Sequence, residues 1–226
     1  MKSRLALFFI FNIHWFISTT ASAEGELMVM PASTKLFNSH EQKISLRNMG
    51  DSTLYLSVSV QKVMNPGQVP EEKVSLGELP HPGLIATPEK LTLGPNQSRV
   101  VTLKSLGEPE QEALYRLYVV PVRSIKIEEA PDDKITAPMS VSIGYGVLVR
   151  HMPAPSKQHS SWTYRCENAG LTLVNNGNVR QILSELSNSS GTPKQTIALF
   201  PGTPQHFVDS QLKFQVDGQP QTLTCP

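Results

Sequence analysis

The sequence predicts an all-β protein of two immunoglobulin-like β-sandwich domains, the second smaller and stapled by a disulfide. Three observations predict it. Short stretches of period-two alternation recur along the chain, clusters of Gly, Pro, Asn and Asp separate them, and no stretch of useful length carries apolar residues at helical spacing. About seven such strands, as counted before the break at residue 152, are what one immunoglobulin-like sandwich needs.

Residues 1–23 read as a signal peptide. Lys2 and Arg4 give a basic start, "LALFFIFNIHWFI" an apolar centre, and Ala21 and Ala23 the small-x-small cleavage pattern. The apolar centre falls short of the roughly 20 residues that span a bilayer. The expectation is export without membrane insertion, with a mature chain beginning at Glu24.

The first domain is expected over residues 24–151. "KISLRNMG" and "TLYLSVSVQKV" alternate around the turn signal "NMGDS" and predict a hairpin. "KLTL" and "RVVTLKSL" flank "GPNQS" as strand, turn, strand. "ALYRLYVVPVRSI" is a long apolar strand in which Pro121 marks an edge or a bulge. The acidic loop "EEAPDDK" leads into "PMSVSIGYGVLVRHMP". There Met139, Val141, Ile143, Tyr145, Val147 and Val149 share one face of an extended strand. Ser140, Ser142, Gly144, Gly146, Leu148 and Arg150 share the other. Gly144 and Gly146 allow either a close backbone approach or a bulge.

Residues 152–160 are polar with two prolines and read as a linker. Residues 161–226 then form the smaller domain, beginning with the strand, Asn-Gly turn and strand of "GLTLVNNGNVRQILSEL". Cys166 and Cys225 are the two cysteines of the chain, and in an exported protein an even pair is most simply a disulfide. Tying the first strand of a small domain to its last compensates a thin core.

Composition narrows the function. With 20 Lys and Arg against 19 Asp and Glu, the formal charge is +1, which gives no field for nucleic acid or an anionic membrane. No G-x-S-x-G nucleophile elbow occurs, and the histidines outside the leader stand at no metal-ligand spacing. The expectation is a binding or assembly module, not an enzyme, with no cofactor and no metal.

Four stretches in register make the reading specific. "VMNPG" (63–67), "LIATPEKLTLGPNQSRVVTL" (84–103), "ALYRLYV" (113–119) and "VSIGYGVLVRHMP" (141–153) together resemble the periplasmic chaperones of bacterial fimbriae. The likeness is to the alternate chaperones of class 5, colonization-factor type fimbriae. It covers nearly all of the first domain and is weaker in the second, limited there to "GLTLVNNGN" and size. Asn96 stands where such chaperones usually have Gly.

The resemblance implies a boomerang of two sandwiches with a cleft between them. It also implies donor-strand complementation, in which the chaperone's last strand of domain 1 fills the groove of a fimbrial subunit that lacks a strand, until delivery to an outer-membrane usher. This is β-augmentation, with main-chain hydrogen bonds giving affinity and alternate side chains giving specificity. The implied partners are major and minor fimbrial subunits and the usher. Self-association of the free chaperone over its exposed strand is physically reasonable. The donated face would be Met139, Val141, Ile143 and Tyr145, and Leu148, of the other register, would need a core role near the strand's end.

The family anchors a subunit's C-terminal carboxylate with basic side chains in the cleft. Lys35 fits the first-strand position, but the second falls near Gly146, which has no charge. Antiparallel pairing of "ALYRLYVV" with the donor strand brings the start of one beside the end of the other. Arg116 is therefore the substitute and Arg150 the reserve, each with a planar fork suited to a carboxylate. A fimbrial subunit is the competing reading; its alternating donor segment would be expected at the N-terminus, not beside a linker.

Overall fold

A computed structural model describes residues 26–122, 143–167, 170–188 and 194–226. The expected leader (1–23) and the candidate donor residues Met139 and Val141 lie outside the described residues.

The first sandwich holds β1 (Leu27–Met30), β2 (Ser33–Phe37), β3 (Gln42–Asn48), β4 (Leu54–Val63), β5 (Lys73–Ser75), β6 (Leu84–Thr87), β7 (Lys90–Leu93), β8 (Ser98–Ser105), β9 (Ala113–Pro121) and β10 (Tyr145–Met152). One sheet runs β1-β3-β8-β6. The other runs β2-β10-β9-β4-β5, with β7 also on β4. Alternation does what period two requires: Leu54, Leu56, Val58 and Val60 of β4 meet Tyr115, Leu117 and Val119 of β9 and Val147 and Val149 of β10 in one buried cluster. Ile44, Leu46, Val101 and Leu103 of the facing sheet close it.

The predicted β3–β4 hairpin does not form. β3 pairs with β1 and β8, and β4 pairs with β9, β5 and β7, so "NMGDS" carries the chain from one sheet to the other. Asn48 explains the corner. Its fully buried side-chain amide donates to the carbonyls of Ser52, Leu93 and Gly94 at 2.7–3.1 Å, and its oxygen accepts from Gly50 N–H at 3.0 Å. An Asn-Gly signal marks a change of direction and does not say which strand lies beyond it. Asn96 has φ 58°, a left-handed conformation that Asn tolerates where Gly is usual.

The second sandwich comprises β11 (Trp162–Glu167), β12 (Gly170–Asn175), β13 (Gln181–Asn188), β14 (Gln195–Leu199), β15 (Gln205–Phe207), β16 (Gln211–Val216) and β17 (Gln219–Thr224). Its sheets run β11-β12-β15 and β14-β13-β16-β17. Asn175 repeats the corner of Asn48: its amide donates to Val179 and Leu199 carbonyls, and its oxygen accepts from Gly177 N–H. Here too the Asn-Gly stretch crosses between sheets. Asp217 and Gly218, both with positive φ, make the two-residue hairpin between β16 and β17.

Cys166 on β11 and Cys225 just after β17 are disulfide-bonded across 59 residues, joining the two sheets of this domain. Closing a loop of that length stabilises by roughly 4 kcal/mol in the chain-entropy model.

β10 runs through His151 and Met152, so the strand ends one residue later than the expected domain limit. The linker is ordered by contacts: Ala154 N–H and Lys157 Nζ both donate to the Glu108 carboxylate at 3.0 Å.

Candidate functional site

β10 is two strands in one. From Leu148 to Met152 it is sandwiched between antiparallel β9 and parallel β2. From Tyr145 to Val147 it pairs with β9 alone, because β2 begins its register at Ser33 opposite Leu148. Upstream of Ser33 the chain passes Pro31 into β1 and the other sheet. Among the described residues, nothing occupies the other edge of this first half. Ile143, just before it, is 71% exposed and Tyr145 is 37% exposed, whereas Val147 and Val149 on the same face are buried. The alternating ladder therefore divides: its last two members fill the domain's own core, and the two described residues before them face outward.

Leu148 takes the other side. It packs with Val63, Leu114 and Phe200, a small cluster in which Phe200 comes from the second domain. The core role expected for Leu148 is thus in the joint between domains.

Strand register places the three basic candidates on the Leu148 side of the sheet, opposite the ladder. Lys35, Arg150 and Leu114 are cross-strand neighbours on β2, β10 and β9. One row away stand Ser33, Leu148, Arg116 and Gln61, and beyond them Gly146 and Tyr118. Lys35 is exposed and makes no ion pair with a described residue. The two arginines are already engaged.

Arg150 forks onto Glu112 at 2.6 and 3.0 Å, with side chains 11% and 0% exposed. The same carboxylate accepts from Arg180 N–H of the second domain at 2.8 Å, and Glu112 N–H donates to Asn178 O at 2.8 Å. Asn178 also donates to the carbonyls of Glu110 and Lys157 and accepts from His159 N–H. Arg180 lies 5.9 Å from the Phe200 ring centroid, and burial with the neighbouring Arg150 charge holds its pKa below the usual value. Across the gap, Gln68 donates to Pro204 O and Gln205 donates to Gly67 O. Gly67 has φ +87°, and a Cβ there would stand 2.9 Å from Ala198 O, so the close approach needs glycine.

Arg116 instead grips Glu71, Nε to Oε2 at 3.1 Å and Nη2 to Oε1 at 2.5 Å, with both side chains about a quarter to a third exposed (30% and 24%). Hydrogen bonding to Arg116 lowers the Glu71 pKa. Lys73 donates to the Tyr118 hydroxyl at 3.0 Å and lies 3.7 Å from Glu71.

Sequence reasoning missed both glutamates. Glu112 had a signal, since it shares parity with Leu114 and Arg116 on β9 and so belongs to their face. Glu71 sits in the β4–β5 loop, where alternation says nothing.

His151, on the core face at the end of β10, is 1% exposed. Ser105 Oγ donates to Gly107 O at 2.8 Å, so it accepts from His151 Nε2–H at 2.8 Å, leaving Nδ1 without a partner among the described residues. Burial lowers the His151 pKa to about 4.

Two sandwiches, a half-open last strand and a cationic face beside the joint place the chain in a class. It has the fold of the periplasmic fimbrial chaperones, the class its sequence resembles. More particularly, it is similar to the class 5 fimbriae chaperone CfaA, with a TM-score of 0.67 and 23% identity over 89% of this chain and 100% of that one. It is also similar to a chain of the chaperone–tip adhesin complex of CFA/I fimbriae biogenesis (TM-score 0.69, 21% identity, 88% and 98% covered). A more distant match is a chain of the CsuC–CsuE chaperone–tip adhesion subunit complex of Acinetobacter baumannii, at TM-score 0.56 and 16% identity over 89% and 97%.

By sequence it is related to two curated Escherichia coli proteins, one of CFA/I and one of CS1, both fimbrial subunits by name. The CFA/I protein is 31% identical over 160 residues, covering 70% of this chain and 66% of that one. The CS1 protein is 28% identical over 159 residues with the same shares. The matched stretch thus spans about two thirds of these relatives. No family model matches the chain.

Proposed function

We propose that the chain is a periplasmic chaperone that captures fimbrial subunits by lending them the first half of β10, and hands them to an outer-membrane usher. The single observation that carries this reading is the open edge at Tyr145–Val147 with Ile143 and Tyr145 exposed beside it. An exposed apolar edge is an aggregation hazard that proteins normally cover. A strand meant for lending has a reason to stay open, and a client strand adding there would run directly onto the cationic face.

In this reading Met139, Val141, Ile143 and Tyr145 fill the client's groove. Residues 1–23 direct the chain to the periplasm and are removed. Lys35, an exposed cation of the face, and Arg116 receive the client's C-terminal carboxylate. Arg150 is the reserve, a weaker candidate because Glu112 already holds it in a buried pair.

The test is co-purification with a fimbrial subunit. Val141→Asp and Ile143→Asp should abolish capture while the chaperone stays folded, since a charge forced into an apolar groove forfeits more than the roughly 1.5–3 kcal/mol each side chain contributes. Lys35→Ala and Arg116→Ala should weaken capture roughly ten- to a hundredfold. Capture unchanged by both strand variants would end the donor reading.

The names of the curated relatives favour one alternative, that the chain is itself a fimbrial subunit. Under it the purified protein polymerises; under the chaperone reading it keeps another subunit soluble without joining a fibre.

A further inference from the structure

Arg116 is the arginine on which the carboxylate anchor rests, and it is not vacant. Glu71 holds it through the Nε and Nη2 edge, one of the two edges by which a guanidinium takes a carboxylate in a two-point fork. The pair differs from its neighbour Arg150–Glu112 in burial and in what else the carboxylate holds. Neither glutamate lies in a strand, but about a quarter of the Glu71 side chain is exposed, and water is at hand to solvate it if it leaves. Glu112 is sealed in the joint, and its departure would strand Arg180 N–H as well as Arg150. Lys73, 3.7 Å from Glu71 and tied to Tyr118, gives the displaced carboxylate a second cation to rest against.

We propose that Glu71 is a resident carboxylate that occupies Arg116 in the free protein and is displaced by the carboxylate of an incoming chain end. The inference rests on the anchor reading above and adds a competitor to it. Glu71 then sets selectivity. A chain end bearing a free carboxylate exchanges one charge-assisted fork for another. An uncharged end, or a strand that merely passes along the edge of β10, gains nothing at Arg116 that Glu71 does not already supply. The affinity of the site is reduced by the fraction of molecules in which Glu71 holds the fork.

The probe is a synthetic peptide of alternating valine and threonine ending in a free carboxylate, against the same peptide ending in an amide, titrated by calorimetry. Glu71→Gln and Glu71→Ala should bind the carboxylate peptide roughly two- to sixfold more tightly than the parent protein, the range expected when a self-competing pair of under about 1 kcal/mol is removed. The amide peptide should bind unchanged. Glu72→Gln removes a charge from the same loop without touching Arg116 and should leave both peptides unchanged. Equal or weaker binding of the carboxylate peptide by the Glu71 variants would overturn the inference, meaning that the client uses the other edge of Arg116 or that Glu71 only positions it. A gain shared by both peptides, or reproduced by Glu72→Gln, would overturn it as a general charge effect. Arg116→Ala separates the two levels. If it keeps the parent's preference for the carboxylate peptide, the anchor reading fails. If it loses that preference while the Glu71 variants gain nothing, only the role of Glu71 fails. Binding of neither peptide by any variant would count against the open edge of β10 and against both.

Discussion

Arg150 and Arg116 stand one row apart on the same face of the same sheet, each forked onto a glutamate, and they are not equivalent. The Arg150–Glu112 pair is buried in the joint and shares its carboxylate with the second domain; Arg116–Glu71 lies half-open on a loop. Burial decides the role. A buried pair contributes little over an apolar pair, but removing one partner strands a charge that water cannot reach. An open pair is worth under about 1 kcal/mol and can be exchanged without harm to the fold. β10 repeats the contrast along its length, with a two-sided, buried second half and an open first half.

The sharpest way to break this comparison is Glu112→Ala. It should lower stability by about 3–5 kcal/mol in urea unfolding, because Arg150 is left buried and unpaired. A loss under about 1 kcal/mol would erase the distinction between the two pairs.

Acid should act next, on the buried half of β10. His151 has a folded pKa of about 4, depressed below its ordinary 6.5 by burial, so between these values the unfolded chain holds more protons. Stability is therefore full above about pH 6.5 and falls as pH drops toward 4, by about 2 kcal/mol at pH 5. His151→Asn should flatten that window in a pH series of unfolding midpoints. Glu71 and Glu108, whose pKa values are lowered by Arg116 and by Ala154 N–H and Lys157, lose their contributions at lower pH, below the ordinary carboxylate range.

The two halves of the ladder are told apart by paired substitutions. Val149→Ala should destabilise by about 2 kcal/mol, since it removes two buried methyl groups' worth of apolar contact. Ile143→Asp should change stability by less than about 0.5 kcal/mol, as exposed positions do. A large loss at Ile143 would return that residue to the domain's own core. Arg116→Ala should likewise shift the unfolding free energy by little, under about 1 kcal/mol. Its effect belongs to capture and not to stability.

Alternation made β9 and β10 legible as strands; their antiparallel pairing came with the family resemblance, and the register that brings Arg116 beside Leu148 came from the structure. The cysteine pair was legible because two cysteines in a chain expected to be exported have one simple use. What alternation could not give was the identity of each strand's neighbour. "NMG" and "NNG" mark two corners built alike, each around an Asn on one sheet whose amide donates to a strand carbonyl of the other, Leu93 or Leu199, and a turn signal looks the same whether the chain doubles back or crosses over. The split of the ladder between core and open edge was also hidden. It depends on where β2 begins to pair, which is set by a segment more than a hundred residues earlier. Glu71 was illegible for a plainer reason: it reaches Arg116 from a loop.

The joint also fixes an order of assembly. Val63, Leu114 and Leu148 of the first sandwich complete their surface against Phe200, which follows β14 in a domain whose two sheets are held by Cys166 and Cys225. Oxidation of those thiols is therefore felt at a distance. A reduced chain that fails to close its second sandwich would leave three apolar side chains wet and the Glu112 carboxylate short of one donor, beside the strands that carry the arginines.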